Sequence, residues 1–195
     1  MAKNRIIYQS QSVYAGPSAP SGAYVHETGV VSTTSRAKPA PLQRVQNVNY
    51  SFDIARTDVN QFGQLANIDR IILDSPTVSM DFSYYLANFG NEKKLGFAIM
   101  NSSTYTSCIS GMLNRTTDER NYYIRVAAEG QDSVGDLTTG ATTNDVVGVG
   151  NGFLSSYSSD ASVGDFPTAS ISIEGLNIAF DKGMTGNNIP QVNPT

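Results

Sequence analysis

The side chains that most often perform chemistry in proteins are scarce in this sequence. The 195 residues include one histidine, His26, and one cysteine, Cys108. A cysteine nucleophile needs a nearby base, and a zinc site needs several His, Cys or acidic ligands at close spacing. His26 lies in a Gly-, Ser- and Pro-rich stretch with no such cluster around it, and a surface position is expected. Cys108 is expected to pack as a small apolar side chain.

Motifs for phosphate, metal and acyl chemistry are also missing. The stretch GVGNGF at 148–153 does not have the GxGxxG spacing, and no GxxxxGK[ST], HExxH or GxSxG motif occurs. Three aspartates, at 132, 136 and 145, are spaced too irregularly for a calcium loop. The neighbouring carboxylates Asp118 and Glu119 could act as acid and base, but no feature singles them out. The sequence therefore predicts no enzyme, no cofactor and no metal.

Composition favours a single β-rich domain spanning 1–195. Charged residues make up 15% and apolar residues 39%, and Ser, Thr, Asn and Gly fill the balance, as in strands and turns. No window approaches the roughly 20 apolar residues that cross a bilayer, and residues 1–12 lack the apolar core of a signal peptide. We expect no membrane insertion by this chain. One cysteine allows no internal disulfide, which fits assembly in a reducing cytoplasm.

Charge is distributed unevenly along the chain. Residues 1–125 contain 12 Lys and Arg against 9 Asp and Glu, whereas residues 126–195 contain eight acids against Lys182 alone. No basic stripe is present, which argues against a nucleic-acid-binding domain. Two interpretations of the acidic half remain open. It is a set of solvated loops, or it gives the molecule a polar charge distribution through which neighbouring copies attract one another.

Period-two alternation predicts several antiparallel strands. In residues 44–55, Val48, Tyr50, Phe52 and Ile54 would share one buried face. In residues 77–85, the apolar series is Val78, Met80, Phe82 and Tyr84. Further strands are expected at 121–130 and, two or three in number, within 151–180, with one helix at 104–120 and a loop at 131–148. The predicted fold is an antiparallel β-sandwich or barrel with one short flanking helix.

A long Pro-, Gly-, Ser- and Thr-rich stretch interrupts the strand pattern near the start. Residues 15–41 are too many for an ordinary connector in a small domain. We interpret the region at about 15–44 as an extended arm or hairpin, and Tyr24 and His26 within it as candidates for contacts between subunits.

The stretch RTDVNQFGQL, residues 56–65, follows a long strand but is polar and carries isolated apolar side chains. One interpretation is a capped loop that folds back on its own sheet. The other is a contact loop between copies, in which polar side chains satisfy a neighbour's backbone and Phe62 and Leu65 are apolar anchors. The contact candidates in this stretch are Arg56, Asn60, Gln61, Phe62 and Leu65.

Several longer stretches resemble the tail tube, or major tail, proteins of tailed bacteriophages. They are NRIIYQSQSVYAGP, RVQNVNYSFDIARTDVNQFGQLANIDRIILDSPTVSMDFSYYLAN, DERNYYIRVAAEGQD and SVGDFPTASISIEGLNI. The resemblance covers most of the chain, from about residue 4 to about residue 180, in the same order. The resemblance lies in the overall run of residues along these stretches and not in a catalytic motif.

The resemblance implies a virion protein with two packed β-sheets and a flanking helix. Six copies would close into a ring, and one sheet of each would line a channel that double-stranded DNA passes without specific binding. Stacked rings would form the tube, in contact with tape-measure, baseplate and terminator proteins and, in a contractile tail, a sheath. Assembly would take place in the bacterial cytoplasm. The strands at 45–55 and 77–85 are candidates for the sheet that bounds the channel.

Three other functions remain open on the sequence alone. A receptor- or carbohydrate-binding β-sandwich of a phage baseplate or fibre would suit the ten tyrosines, although the chain has no Trp. A tail terminator would stop at a single ring. An enzyme is the third alternative. Polymerisation distinguishes the tube protein from all of them.

Overall fold

The computed structural model describes residues 11–17, 39–60, 62–63, 69–72, 76–97, 99, 119–127, 133 and 143–185. Within these residues there are ten β-strands and one short helix. In chain order they are β1 (Gln11–Pro17), β2 (Ala40–Pro41), β3 (Val45–Asp53), β4 (Arg56–Val59), β5 (Asp69–Ile72), β6 (Thr77–Tyr85), α1 (Gly90–Leu95), β7 (Arg120–Val126), β8 (Thr143–Asp160), β9 (Thr168–Gly175) and β10 (Asn177–Thr185).

The strands form two antiparallel sheets that share one long strand. Sheet A has the order β2–β1–β7–β8–β10 and uses the first half of β8. Sheet B has the order β3–β6–β9–β8 and uses the second half. β9 pairs with the second half of β8, and β10, which follows β9 directly, pairs with the first half. Together β8, β9 and β10 form one long bent hairpin through both sheets. Such shared strands form the corner between packed sheets.

The bend in β8 lies at Asn151 and Gly152. Asn151 has a φ of 51°, a left-handed conformation that asparagine tolerates better than most residues. Its backbone N–H donates to Asn121 Oδ1 at 3.0 Å, and its Nδ2 donates to Glu119 Oε2 at 2.6 Å. At Gly152, a Cβ would lie 2.8 Å from Tyr122 Cε2 and 2.9 Å from Ile173 Cγ2. The corner therefore requires a residue without a side chain.

The core lies between the inner faces of the two sheets. Alternate residues of each strand are buried there, as the period of two requires. The buried side chains include Val78, Met80, Phe82 and Tyr84 of β6, Ile171 and Ile173 of β9, Val13 of β1, Tyr122 and Ile124 of β7, and Val149 of β8. Full burial of one large apolar side chain contributes about 1.5–3 kcal/mol to stability. These residues therefore hold the sheets together.

The predicted β-sandwich with a short flanking helix is confirmed. The strand predicted at 77–85 is β6, and the strand predicted at 44–55 is β3. The burial predicted along β3 is only partly correct, because Val48 is half-buried but Tyr50 and Phe52 are 42% and 53% exposed. β3 is an edge strand, so its inward-facing side chains have a neighbouring strand on one side only, and alternation there does not produce full burial.

Two other predictions need correction. The loop predicted at 131–148 is wrong from residue 143 onward, where β8 begins. The strand predicted at 121–130 ends at Val126. The helix predicted at 104–120 lies, up to residue 118, outside the described residues, and α1 occurs earlier, at Gly90–Leu95, where no helix was predicted.

The two ends of the predicted arm belong to strands. Ala15 is a buried residue of β1, and Ala40 and Pro41 form β2. The remainder of the arm, residues 18–38, lies outside the described residues. That range includes Tyr24 and His26.

Candidate functional site

The polar stretch after β3 forms a β-hairpin of its own. β4 pairs with β5 in antiparallel register, Arg56 opposite Ile72 and Val59 opposite Asp69. The two strands form a separate two-stranded sheet, and all eight of their residues are exposed. Residues 56–59 are therefore strand and not loop, and they do not pair with the main sheets. We refer to β4, β5 and the described residues 60, 62 and 63 between them as the hairpin.

One ion pair links the two strands of the hairpin. Asp58 and Arg70 lie directly opposite each other, and Arg70 Nε donates to Asp58 Oδ1 at 2.5 Å. The hydrogen bond to Asp58, and then its negative charge, raise the pKa of Arg70. Because both side chains are substantially exposed, solvent screens the pair and its contribution to stability is small. A two-stranded hairpin is only marginally stable without further contacts.

The hairpin also exposes apolar side chains. Phe62 lies at its tip beside Gly63, whose φ is 91°, and is 106% exposed. Val59, Ile71 and Ile72 are 36%, 40% and 54% exposed. Soluble monomers seldom gather exposed apolar side chains on so small an element. This distribution is typical of a surface that another molecule covers.

The sequence-predicted contact residues fall partly within the hairpin. Arg56, Asn60 and Phe62 are exposed there. Gln61 and Leu65 lie outside the described residues, like Tyr24 and His26 of the arm. Ile71 and Ile72 were not predicted, although their position after a polar stretch was a usable signal.

The outward face of sheet B is acidic and hydroxyl-rich. The four strand segments of this sheet contain no Lys, Arg or His. The acidic side chains on the outward face are Asp53, Asp81, Asp160 and Glu174. The hydroxyl side chains there are Ser51, Thr77, Ser79, Ser83, Ser156, Ser158, Thr168, Ser170 and Ser172. The surface is therefore polar and negatively charged.

Short rows of polar side chains cross sheet B and bond to one another. In one row Asn47 Oδ1 accepts from the Ser83 hydroxyl at 2.9 Å and from the Ser83 backbone N–H at 3.0 Å. In another row the hydroxyl oxygens of Ser51 and Ser79 are 2.7 Å apart. These contacts join the polar side chains of neighbouring strands on this face.

The corresponding face of sheet A is covered. Tyr14, Tyr123 and Arg125 point outward from β1 and β7, yet each is buried. The Tyr14 hydroxyl donates to the carbonyl of Ser133 at 3.0 Å. Sheet B is therefore the sheet with an open outward face.

Sheet B also has two free edges within the described residues. β3 pairs only with β6, and the second half of β8 pairs only with β9. Neither edge segment contains Lys or Pro, the residues that commonly protect a strand edge from pairing. Within the described residues, the backbone groups along both edges of the sheet have no strand partner.

Helix α1 is anchored to sheet B through buried polar side chains. The hydroxyls of Tyr84 and Tyr157 donate to Glu92 Oε1 at 2.7 and 3.2 Å. Burial first, and then the hydrogen bond to Glu92, raise the pKa of Tyr84. Asn91 accepts from the backbone N–H of Gln43 at 2.9 Å and donates to its carbonyl at 2.8 Å. The contacts of Asn91 fix the connection between β2 and β3. No pattern in the sequence predicts these contacts of α1.

Neither a metal site nor a membrane helix occurs in the described part of the chain. Its His, Cys, Asp and Glu side chains form no group of three that could bind a metal ion. Its one helix is too short to span a bilayer.

The fold is that of a phage tail tube protein. The chain aligns with the solved structure of the SPP1 tail tube at a TM-score of 0.52 and 9% identity, covering 94% of this chain and 82% of that one. This similarity confirms, for the fold, what the sequence resemblance implied.

Two further solved structures show a weaker similarity. One is the PVC sheath–tube complex of an extracellular contractile injection system, with a TM-score of 0.48, 14% identity and coverage of 91% and 92%. Another is the tail of an empty gene transfer agent particle, with a TM-score of 0.47, 8% identity and coverage of 94% and 100%. No family model matches the sequence, and no curated protein matches it significantly.

Proposed function

We propose that this chain is a structural virion protein that polymerises into a phage-type tail tube. The observation that carries the proposal is the open face of sheet B, which is acidic, rich in hydroxyls and without a basic residue, between two free strand edges. An isolated domain gains nothing from such edges, because unpaired edges invite uncontrolled pairing.

The ring forms when the edge of β3 in one copy pairs with the second half of β8 in the next. This head-to-tail contact is heterologous, and it closes when the rotation between copies completes a circle. Closure into a continuous barrel removes every free edge of sheet B. Six copies per ring is the number that the sequence resemblance implies.

The open face of sheet B then lines the channel. DNA binds proteins largely through phosphate contacts with Lys and Arg. A wall of aspartate, glutamate and hydroxyl side chains offers no such contacts, and its negative charge repels phosphate. Double-stranded DNA can therefore pass along the channel without specific binding.

The hairpin makes contacts between rings. Phe62, Ile71 and Ile72 supply apolar surface, and Arg56 and Asn60 supply polar groups beside it. Gln61 and Leu65 of the same segment, and Tyr24 and His26 of the arm, are assigned to contacts between subunits on the basis of the sequence.

The role is structural and involves neither catalysis nor a cofactor. The partners are further copies of the chain, then tape-measure, baseplate and terminator proteins and, in a contractile tail, a sheath. The location is the virion tail, after assembly in the cytoplasm of the bacterial host.

Electron microscopy of the purified chain over a concentration series tests the proposal. Rings or open-ended hollow tubes are expected, and single rings that never stack would indicate a terminator instead. In a cryo-EM reconstruction of the tubes, Asp81 and Ser170 should face the axis, and β3 should pair with β8 of the next copy.

Two results would overturn the proposal. One is a monomer at every concentration that binds carbohydrate on a glycan array, which would establish a binding module. The other is a tube in which sheet B faces outward, which would remove the argument from charge.

A further inference from the structure

A second exposed apolar surface lies at the end of sheet B opposite the hairpin. It consists of Tyr85, Phe89, Val163 and Phe166, and we call it the receiving end. Phe89, Val163 and Phe166 are 66%, 108% and 74% exposed, and Tyr85 is 37% exposed. The residues come from the end of β6, the connection to α1 and the turn between β8 and β9.

The receiving end is an ordered surface. The rings of Tyr85 and Phe166 are in contact, with centroids 5.6 Å apart. The backbone N–H of Leu86 donates to the carbonyl of Pro167 at 2.8 Å and ties the β8–β9 turn to the end of β6. Leu86, Phe89 and Pro167 are among the residues that line a shallow cavity of about 270 Å³ at this place.

The hairpin of the same copy starts at the other end of β6, before Thr77. Nine residues of strand separate the two ends, which corresponds to about 26 Å at roughly 3.3 Å per residue. A copy displaced along the strand direction by about the length of the sheet would bring its hairpin to the receiving end of its neighbour. The two surfaces differ, so each copy uses both, and such contacts propagate without limit.

Charge is complementary between Arg56 of the hairpin and the β8–β9 turn of the receiving end. Arg56 at the base of the hairpin is exposed and has no ion-pair partner among the described residues. The β8–β9 turn carries Asp160 and Asp165, both exposed, and residues 153–168 contain no Lys, Arg or His. An arginine that approaches this turn would meet only carboxylates.

We propose that the receiving end binds the hairpin of a second copy of this chain, with Phe62 packed against Phe89 and Phe166. The inference rests on the proposed tube function and adds the surface that accepts the hairpin. In this contact between rings, one end of sheet B contributes the hairpin and the other end contributes the surface that binds it.

The test compares Phe89→Ser with a matched control, Phe180→Ser. Phe89 occupies the N-cap of α1 without a side-chain cap hydrogen bond, and serine is a favourable residue there, so the helix should be retained. Phe180 is another exposed aromatic residue, at 60%, but it lies on β10 of sheet A, outside the hairpin, the receiving end and the two edges of sheet B. Val163→Asp provides a second variant whose side chain contacts nothing in the folded chain.

Phe89→Ser and Val163→Asp are expected to form rings that stack only at a protein concentration at least tenfold above that of the unsubstituted chain. Phe180→Ser should stack normally. Unchanged stacking of both receiving-end variants would overturn the inference alone. Failure of the unsubstituted chain to form any ring or tube would overturn the proposed function together with it.

Cross-linking gives a direct test of the contact in tubes. Two chains in which Cys108 is replaced by Ser, one carrying Phe62→Cys and the other Val163→Cys, are mixed, assembled and treated with a short bis-maleimide. A covalent dimer is expected in tubes of the mixture and not in tubes of either chain alone. Its absence from mixed tubes of normal length would contradict the proposed contact.

Discussion

Phe62→Ala separates the stability of a single copy from the stability of the assembly. The Phe62 ring is fully exposed at the tip of the hairpin, so its removal breaks no packing within the chain. The free energy of unfolding should change by less than about 0.5 kcal/mol, as for other surface substitutions. Burial of a phenylalanine against a neighbour contributes about 1.5–3 kcal/mol, and alanine retains little of that.

The loss of this burial free energy predicts a change in the concentration of unassembled protein. Because about 1.4 kcal/mol corresponds to a factor of ten, the concentration of unassembled protein in equilibrium with tubes should rise roughly ten- to hundredfold. Sedimentation of tubes over a concentration series measures this quantity, and urea unfolding of dilute, unassembled protein measures the stability of the copy.

Phe180→Ala is the control for Phe62→Ala and should leave the equilibrium concentration unchanged. Two results would refute the reasoning. The first is an equilibrium concentration for Phe62→Ala equal to that of the unsubstituted protein. The second is a drop of more than about 1 kcal/mol in the unfolding free energy, which would show that Phe62 packs on its own chain.

Three further predictions concern the folded copy, each measured by urea unfolding. Tyr84→Phe should lower the unfolding free energy by about 1.5–3 kcal/mol, because it removes a buried hydrogen bond to the Glu92 carboxylate; an unchanged value would mean that the bond contributes nothing. Burial raises the pKa of Tyr84 and Tyr122, so the unfolded chain releases phenol protons above about pH 10 that the folded chain retains. Below pH 10 this contribution to stability is fully present. Above pH 10 the unfolding free energy should fall by up to about 1.4 kcal/mol per pH unit for each of these two tyrosines, and Tyr122→Phe should reduce this slope. Gly152→Ala should cost about 1–3 kcal/mol through overpacking at the corner, since its Cβ would lie within 3 Å of core side chains; full stability would show that the corner has spare room.

The strands that the sequence predicts well are those buried on one side only. β6 and β9 alternate strictly because one face packs in the core and the other carries Ser and Asp. The same alternation in β3 predicts burial of Tyr50 and Phe52 that does not occur. A pattern identifies which side chains share a face, but the presence of an opposing layer depends on where the strand sits in the sheet.

The hairpin and α1 show what local patterns miss. β4 and β5 are exposed on both faces, so their residues carry no period-two contrast to mark them as strands. α1 has only six residues, and buried partners on β6 and β8 hold it in place through Glu92. Such contacts depend on residues distant in sequence, and one sequence contains no sign of them.

The sequence predicts the polar, hydroxyl-rich character of the outward face of sheet B, but it does not predict which residues form that face. Low charge and abundant hydroxyls are visible in the composition. Asp53, Asp81 and Glu174 share one surface only because β3, β6 and β9 pair in a particular register, and that register is set by the core packing of their alternate residues.

The marginal stability of the hairpin has a kinetic consequence. A two-stranded ribbon outside the core is only marginally stable, so in the proposed tube the first ring to accept a hairpin would also have to order it, at a cost of about 1–2 kcal/mol per residue fixed. Spontaneous growth should then begin after a lag, whereas an existing tube end recruits copies quickly. A chain of this design would remain dispersed in the cell until a completed template starts elongation.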